Sequence, residues 1–512
     1  MAGAPPKEIQ THVVDRDTTL DCDVCAVGSG AGGGTAAAVL AEAGLDVVVL
    51  EAGDYLDDED FDGAEVDGYA RLYLGAGALA TADQSVGLFA GACLGGGTVV
   101  NFSTSFRLPD QIREEWARSG VGAMTSDDYT RSEEAVWERL GVTTDRSRPS
   151  RREQLMKRGL EALGWHVDYM PRNVRGCDEA VCGYSPFGCL AGAKQSTTKT
   201  WLADAWKRGA RILVRTRAER VLVERGRARG VEARTSDGHR VTVRARAVVL
   251  AAGAIHTPAV LRRSGLENGN IGRHLRLHPV TGTAGVFDEE IRPWEGVMQA
   301  VYSDELADLH AGYGIKLESA PLHPSVLSIY IPWRGAGHHA DVMRRLPHLV
   351  PIGLLLRDSS EGEVRVGRDG EPVVRYRLND FDVGHLRTGL AGAAHVLEAA
   401  GASCVFSAHK DWVCYEPGRG RGREGFLEAA DRCGWRAGQC VYTSFHIMGS
   451  ARMGASPDES ACDPEGQTWE VRGLYVCDAS TFPTASGVNP MIAIEAVAHL
   501  NASRLAGGLA RS

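Results

Sequence analysis

The segment Gly28-Ser29-Gly30-Ala31-Gly32-Gly33 constrains this chain most, because a glycine turn of that pattern has a use only between a buried strand and a helix. Asp23-Val24-Cys25-Ala26-Val27 before it reads as a short buried strand, and Thr35 to Ala43 after it as an Ala-rich helix. Gly28 permits the tight turn, Gly30 lets backbone approach a pyrophosphate, and Gly33 lets helix and strand pack closely. The helix N-terminus then faces the negative charge. A second strand is expected from Asp46 to Leu50, ending at Glu51, near the spacing of a carboxylate that accepts from a ribose hydroxyl. Strand, turn, helix, strand and acid together predict a dinucleotide-binding unit.

A chain of 512 residues is too long for one simple core, so two domains are expected. Its 44% hydrophobic and 24% charged fractions are those of a soluble globular protein. A net charge of -10 argues against nucleic acid as a partner and is compatible with a cationic substrate. Met1 to Thr19 hold no apolar core of signal-peptide length, and no apolar run is long enough for a transmembrane segment, so a cytoplasmic location is expected. The 12 cysteines are scattered from Cys22 to Cys477, which suits reduced thiols. Cys177, Cys182 and Cys189 share one Gly-rich loop without a Cys-x-x-Cys pair, so they read as structural thiols and no metal is expected.

A second glycine cluster, Leu94 to Asn101, lacks a clear strand-to-helix frame and suits close backbone contact, as a plain loop also would. Arg211 to Val223 and Val241 to Leu250 alternate apolar and polar residues, suggesting strands that bracket a turn near Asp237-Gly238. Thr257 to Gly265 reads as a short helix with Pro258 in its first turn and Gly265 at its end. Between roughly Phe287 and Gln439 the dinucleotide signals vanish. There Pro351 to Leu356 and Glu363 to Val366 suggest strands of a different sheet. Gly418 to Gly425 follows no buried strand and reads as a mobile charged loop. No second nucleotide turn offers a nicotinamide site, so one bound dinucleotide is the economical reading.

Two polar residues near the other end complete the pattern. His446 lies in Phe445-His446-Ile447-Met448-Gly449-Ser450, and Asn489 in Ser486-Gly487-Val488-Asn489-Pro490. A lone histidine reads as a core residue. With a redox cofactor in the same chain, His446 becomes a candidate base for an alcohol, which must lose a hydroxyl proton and a hydride from the same carbon.

Together these motifs resemble the glucose-methanol-choline (GMC) oxidoreductase family over nearly the whole chain. The resemblance rests on Gly28 to Gly33 with Glu51, on Gly95 to Asn101, on Gly253 to Leu266, and on His446 through Asn489. Glu267 stands where the family usually places glycine. The resemblance implies an α/β FAD-binding Rossmann-like domain (17–110, 205–286 and 440–512). An α+β substrate domain with an antiparallel sheet and connecting segments would take up 111–204 and 287–439. It implies that Gly28, Gly30, Gly33 and Glu51 contact the ADP half of FAD, that Val221 packs near the adenine, and that Asn101, with Gly96 and Gly97, sits by the isoalloxazine ring. Asp478 falls near the ribityl chain, and Ala479, Asn489 and Pro490 join the cofactor contacts. Val100 occupies the place where some members carry a histidine joined to FAD, so the cofactor is expected to be non-covalent.

The implied reaction takes a primary alcohol to an aldehyde, the proton passing to His446 and the hydride to flavin N5, while Asn489 holds the oxygen. Electrons are expected to reach O2, giving H2O2. The alternatives are a dehydrogenase with another acceptor, a cyanohydrin lyase with structural FAD, and a non-catalytic flavin-binding module. Cys182 to Cys189, Lys194 to Thr197, Gly272 to Leu275 and Leu277-His278-Pro279 resemble the long-chain alcohol oxidase branch, and the resemblance extends to enzymes oxidising the hydroxymethyl group of amino sugars. Tyr313, Glu318 and Tyr330 are candidate pocket residues, with Trp294 and Trp333 equally readable as core aromatics.

Overall fold

The computed structural model describes residues 9–511, so the first eight residues of the Met1–Thr19 stretch lie outside it. The strand before the first glycine turn, β1, runs Thr18–Val27. Its last residues, Val24 to Val27, pair in parallel with Val47 to Leu50 (β2, Val47–Leu50) on one side and with Ala247 to Leu250 on the other. A strand enclosed in this way reads as a continuous apolar run.

Helix α1 spans Ala31–Glu42. It starts four residues before the expected Thr35, so Gly32, Gly33 and Gly34 form its first turn instead of the preceding loop. Glycine is a poor helix former, but packing overrides that penalty here. A Cβ on Gly32 would stand 1.6 Å from the Cys477 carbonyl oxygen, and one on Gly33 would stand 2.0 Å from that of Gly28.

β1 and β2 belong to a seven-stranded mixed sheet. From one edge its strands are Arg211–Leu213, β2, β1, Arg240–Leu250, Arg227–Thr235 and Thr216–Glu224, with Leu474–Val476 also parallel to Arg240–Leu250. The expected run Arg211 to Val223 is thus two strands, broken at Val214 and at Arg215, whose φ is +54°. The turn at Asp237-Gly238 does not join that run to Val241–Leu250. It joins Arg227–Thr235, a strand too rich in charged residues to show as one, to Arg240–Leu250. The helix expected from Thr257 begins at Gly253 and runs to Arg263, with Pro258 inside it. Proline there cannot donate to the Ala254 carbonyl. The Ser450 hydroxyl does so instead, at 2.6 Å, which is how the helix tolerates it.

The second sheet has nine strands, with an antiparallel centre of Val280–Val286, Leu349–Leu356, Tyr313–Glu318 and Val301–His310. Helix Asp380–Ala399 packs on this centre. Glu363–Val366 forms a separate hairpin with Pro372–Arg375 and is not a strand of that sheet. Val86–Leu88 and Tyr442–Ser444, from stretches expected to belong to the cofactor region, pair with each other and reach this sheet through Thr443 and Val280. Gly422 to Gly425 opens helix Gly422–Cys433 and is no part of a loop. Among the described residues no helix is long and apolar enough to cross a membrane.

Candidate active site

A cavity of about 720 Å³ opens where β1, β2 and Arg240–Leu250 end, and extends to the second sheet. Ligands of parallel α/β sheets bind at such carboxyl ends. Gly28 (φ +94°), Ser29, Gly30, Ala31 and Gly32 line it, and Gly30 at the N-cap leaves the first amides of α1 without a side-chain partner. Uncapped amides at the positive end of a helix suit a pyrophosphate. Helix Met491–Ala510 also opens on the cavity with an uncapped N-terminus, at Pro490, Met491 and Ile494. Gly33 stays outside the lining and packs helix against strand.

The second glycine turn crosses the first. Gly96 and Gly97 line the cavity, and a Cβ on Gly96 would sit 3.0 Å from the Gly30 Cα. A four-residue helix, Gly97–Val100, follows, so this cluster does have a helical frame that sequence alone did not show. Ser29 ties the two turns together, accepting from the Gly95 N–H at 2.9 Å and donating to Glu51 Oε2 at 2.5 Å. Glu51 is buried and also accepts from the Ser29 and Gly53 amides; burial raises its pKa. Lys194 Nζ donates to the carbonyls of Val99 and Asn101, fixing the end of that short helix, and burial lowers its pKa to about 8. The structural tasks of Ser29 and Lys194 had no sequence signal, because a serine between glycines or a lysine in a loop is unremarkable until its partners are located.

Asp478 and Ala479 line the cavity. The Asp478 carboxylate accepts from the Gly253 amide at 2.9 Å, the Thr257 hydroxyl at 2.6 Å and the Ser480 amide at 2.8 Å, so it caps helix Gly253–Arg263. Val221 is not part of the lining, in contrast to its expected adenine contact. The cavity meets that strand at Thr216, Arg217 and Ala218, and a register shift between Ala218 and Arg220 separates Val221 from them. Glu318 and Tyr330 line the cavity, whereas Tyr313 lies beneath the Arg357 guanidinium. Trp294 packs in an apolar cluster, and Trp333 is exposed.

His446 and Asn489 both face the cavity. Burial lowers the His446 pKa to about 4, so it is neutral near pH 7. Asn489 Oδ1 is buried without a protein partner, an orphan acceptor of the kind a bound ligand satisfies. Behind them stands His278, fully buried and left-handed (φ +43°). The Gly487 N–H donates to His278 Nε2 at 3.1 Å, and His278 Nδ1 lies 3.3 Å from His446 Nδ1. A nitrogen that accepts an N–H cannot itself carry a proton, so neutral His278 is protonated on Nδ1 and directs that proton at His446. His446 then keeps its own proton on Nε2. This resting tautomer donates to a substrate oxygen; the proton-accepting tautomer requires His278 to place its proton on Nε2, displacing the Gly487 N–H.

The same burial has a consequence for stability. His323, His409 and His446 are each held neutral down to about pH 4. The unfolded chain takes up these protons near pH 6.5, so between about 6.5 and about 4 it binds more protons than the folded chain and stability falls as pH falls. Asp358 and Glu495, raised by burial to about 6 and about 8, act in the opposite sense, so the histidine contribution is read as a difference. Between pH 6.5 and about 4 the Tm of the parent should fall relative to that of His409→Gln, and an unchanged difference would contradict neutral burial.

Three family models match the chain. GMC oxidoreductase models cover residues 69–280 and 358–498, and a model described as NAD(P)-binding Rossmann-like domain covers 27–84. Two long-chain-alcohol oxidases of Arabidopsis thaliana are 37% and 36% identical, each over 96% of this chain and over 68% and 69% of their own lengths. An uncharacterized GMC-type oxidoreductase of Mycobacterium tuberculosis is 36% identical over 97% of this chain and 78% of its own. Among solved structures, pyridoxine 4-oxidase from Mesorbium loti superposes with a TM-score of 0.68 at 19% identity, over 94% of this chain and 99% of that one. Formate oxidase superposes with a TM-score of 0.71 at 16% identity, over 96% and 99%. At these identities the two structures bear on the fold alone. The chain belongs to the GMC oxidoreductase family. It is an FAD-dependent alcohol oxidoreductase.

Proposed function

We propose that this protein oxidises a long-chain primary alcohol to the aldehyde and passes the electrons to O2, giving H2O2. The observation that carries the substrate class is that Val280, Ala284, Leu322, Leu327, Ile352 and Phe406 line the same cavity as His446 and Asn489. A hydroxyl fits the polar pair and an alkyl chain the apolar residues.

The residues present fit FAD. The uncapped amides of α1 suit its pyrophosphate, Glu51 stands at the end of β2 for the ribose, and Gly96 and Gly97 leave room for a flat ring beside Asn101. Bound there, FAD supplies the two-electron acceptor for the carbinol carbon. Val100 lines the cavity with a side chain that cannot form a covalent link, which supports a non-covalent cofactor. His446 binds the hydroxyl oxygen through its Nε2 proton and, after the tautomer exchange with His278, takes the hydroxyl proton. Before that exchange the orphan Oδ1 of Asn489 accepts from the hydroxyl and orients it, and after it the same proton turns to His446 Nε2.

Straight-chain alcohols of increasing length test the substrate class. Each methylene moved from water onto apolar walls contributes about 0.8 kcal/mol, so kcat/KM should rise about fourfold per methylene until the cavity is filled. No dependence on length would refute the alkyl assignment. Rapid return of flavin colour on admitting air, after anaerobic bleaching by the alcohol, would distinguish the oxidase from a dehydrogenase, and cyanohydrin cleavage without bleaching would identify a lyase.

A second reading, an amino-sugar alcohol, has one observation in its favour. Glu318 Oε2 accepts from Gln299 Nε2 at 2.8 Å, while its buried Oε1 at the cavity wall has no well-formed hydrogen bond, with the Asn489 side chain beside the carboxyl and burial raising its pKa. A carboxylate so placed suits an ammonium or a second hydroxyl. A charge-assisted bond contributes about 1.5–3 kcal/mol. Glu318→Gln should therefore lower kcat/KM for amine-bearing alcohols by roughly tenfold or more beyond its effect on alkanols, which it reaches only through Asn489; equal effects on both classes would remove this reading.

A further inference from the structure

We propose that Cys177 and Cys182 form a peroxide-reactive dithiol, a modification site that converts to a disulfide. Their sulfurs lie 3.8 Å apart, with Cys177 donating to Cys182, and both side chains are only partly buried. The Arg172 guanidinium, 1% exposed and held by the Arg146 carbonyl, approaches the Cys177 sulfur to 3.9 and 4.0 Å. A buried cation beside two neighbouring thiols favours one thiolate and one thiol. With Cys177 donating its S–H to Cys182, the negative charge rests on Cys182, whose pKa is lowered by that hydrogen bond and by the nearby Arg172. Among the described residues no group of three or more His, Cys, Asp or Glu is placed to hold a metal, so the pair is not part of a cage.

The backbone permits the remaining closure. A disulfide needs the sulfurs at about 2.05 Å. Gly176 (φ +67°) has open space around it, whereas Gly183 (φ +113°) is pressed on the Trp294 carbonyl, with a Cβ there only 2.3 Å away. The Cys182 end is therefore held, and nothing crowds the backbone beside Cys177. Three residues beyond Cys182, the Ser185 hydroxyl donates to the Asn101 carbonyl and Pro186 lines the cavity, so the dithiol belongs to the loop that braces the cofactor site.

The oxidant is hydrogen peroxide, and its supply by the protein's own turnover rests on the oxidase reading. The Cys182 thiolate attacks one peroxide oxygen; the O–O bond breaks, an S–O bond forms, and the departing hydroxide takes a proton to become water. The Cys177 sulfur, losing its proton, attacks the resulting sulfenic sulfur; the S–O bond breaks, the S–S bond forms, and a second water leaves. Two thiols are oxidised by two electrons and one peroxide is reduced to two waters.

The test uses full-length protein, freed of reductant and exposed to added hydrogen peroxide, so that it does not depend on turnover. Trypsin and chymotrypsin release residues 176–184 as one peptide holding both thiols and excluding Cys189. This peptide should become lighter by two hydrogens before any other cysteine is oxidised. Cys177→Ser should leave a sulfenic acid at Cys182 that dimedone traps, and Cys182→Ser should leave Cys177 a free thiol. Persistence of both thiols while other cysteines oxidise, or equal sulfenic labelling in the two variants, would overturn the site. If added peroxide forms the disulfide but alcohol turnover in air does not, the site stands and the oxidase reading falls.

Discussion

His446→Ala lowers kcat for alcohol oxidation by about 10²-fold or more, with FAD still bound. The expectation follows from position. His446 is a cavity-facing imidazole held neutral by burial and linked through His278 to the segment that carries Asn489. None of the first cofactor-holding turn, α1 with Ser29 and Glu51, depends on it. The decisive measurements are anaerobic flavin bleaching by substrate and the flavin-to-protein absorbance ratio. Lost bleaching at an unchanged ratio supports the assignment, and acid precipitation should release the flavin into solution because Val100 offers no covalent anchor. Undiminished turnover would make His446 a structural residue and return the base to be sought elsewhere in the cavity.

Gly32→Ala is the second large effect, and it acts through the cofactor. The added methyl would meet the Cys477 carbonyl at 1.6 Å and its carbon at 2.7 Å, both backbone atoms of the strand end that leads into Asp478. Unlike a flexible side chain, neither can swing aside. The cost should reach or exceed the roughly 3 kcal/mol at the upper end of overpacking effects, and α1 must shift away from the sheet just where its amides meet the pyrophosphate. The purified variant should carry little FAD and melt well below the parent. Gly508→Ala supplies the control, since nothing lies within 4 Å of the added carbon on the same class of element. It should match or slightly exceed the parent in stability. Equal FAD content in parent and Gly32→Ala would mean that the helix is not held as tightly as its contacts indicate.

The contrast between Gly32 and Gly33 shows where the sequence was readable. The close-packing task of Gly33 followed from the motif, and its position against Gly28 agrees with it. The motif assigned Gly32 no task, although its clearance is the smaller of the two, because its neighbour Cys477 lies far along the chain. Strand Arg227–Thr235 escaped for a different reason. Its apolar side is interrupted by Gly230 and its outer side is mostly charged, so the alternation that reveals a half-buried strand is weak. Pro258 misled the reading of its helix, since the compensating Ser450 hydroxyl comes from a remote loop.

By itself the sequence determined the dinucleotide turn with its flanking strand and helix, the acid at Glu51, the family, and the two residues His446 and Asn489 that face the cavity. These were legible because each depends on a local backbone demand or on a motif only a few residues long. Tertiary structure alone decided the pairing of His278 with His446 across 168 residues and the bridge from Ser29 to Gly95. It also decided the buried oxygen of Glu318 at the cavity wall and the displacement of Val221 from it. The physical reason is that hydrogen bonding and exclusion from water are properties of a site assembled from distant segments, and local sequence pattern carries no record of which of those segments will meet.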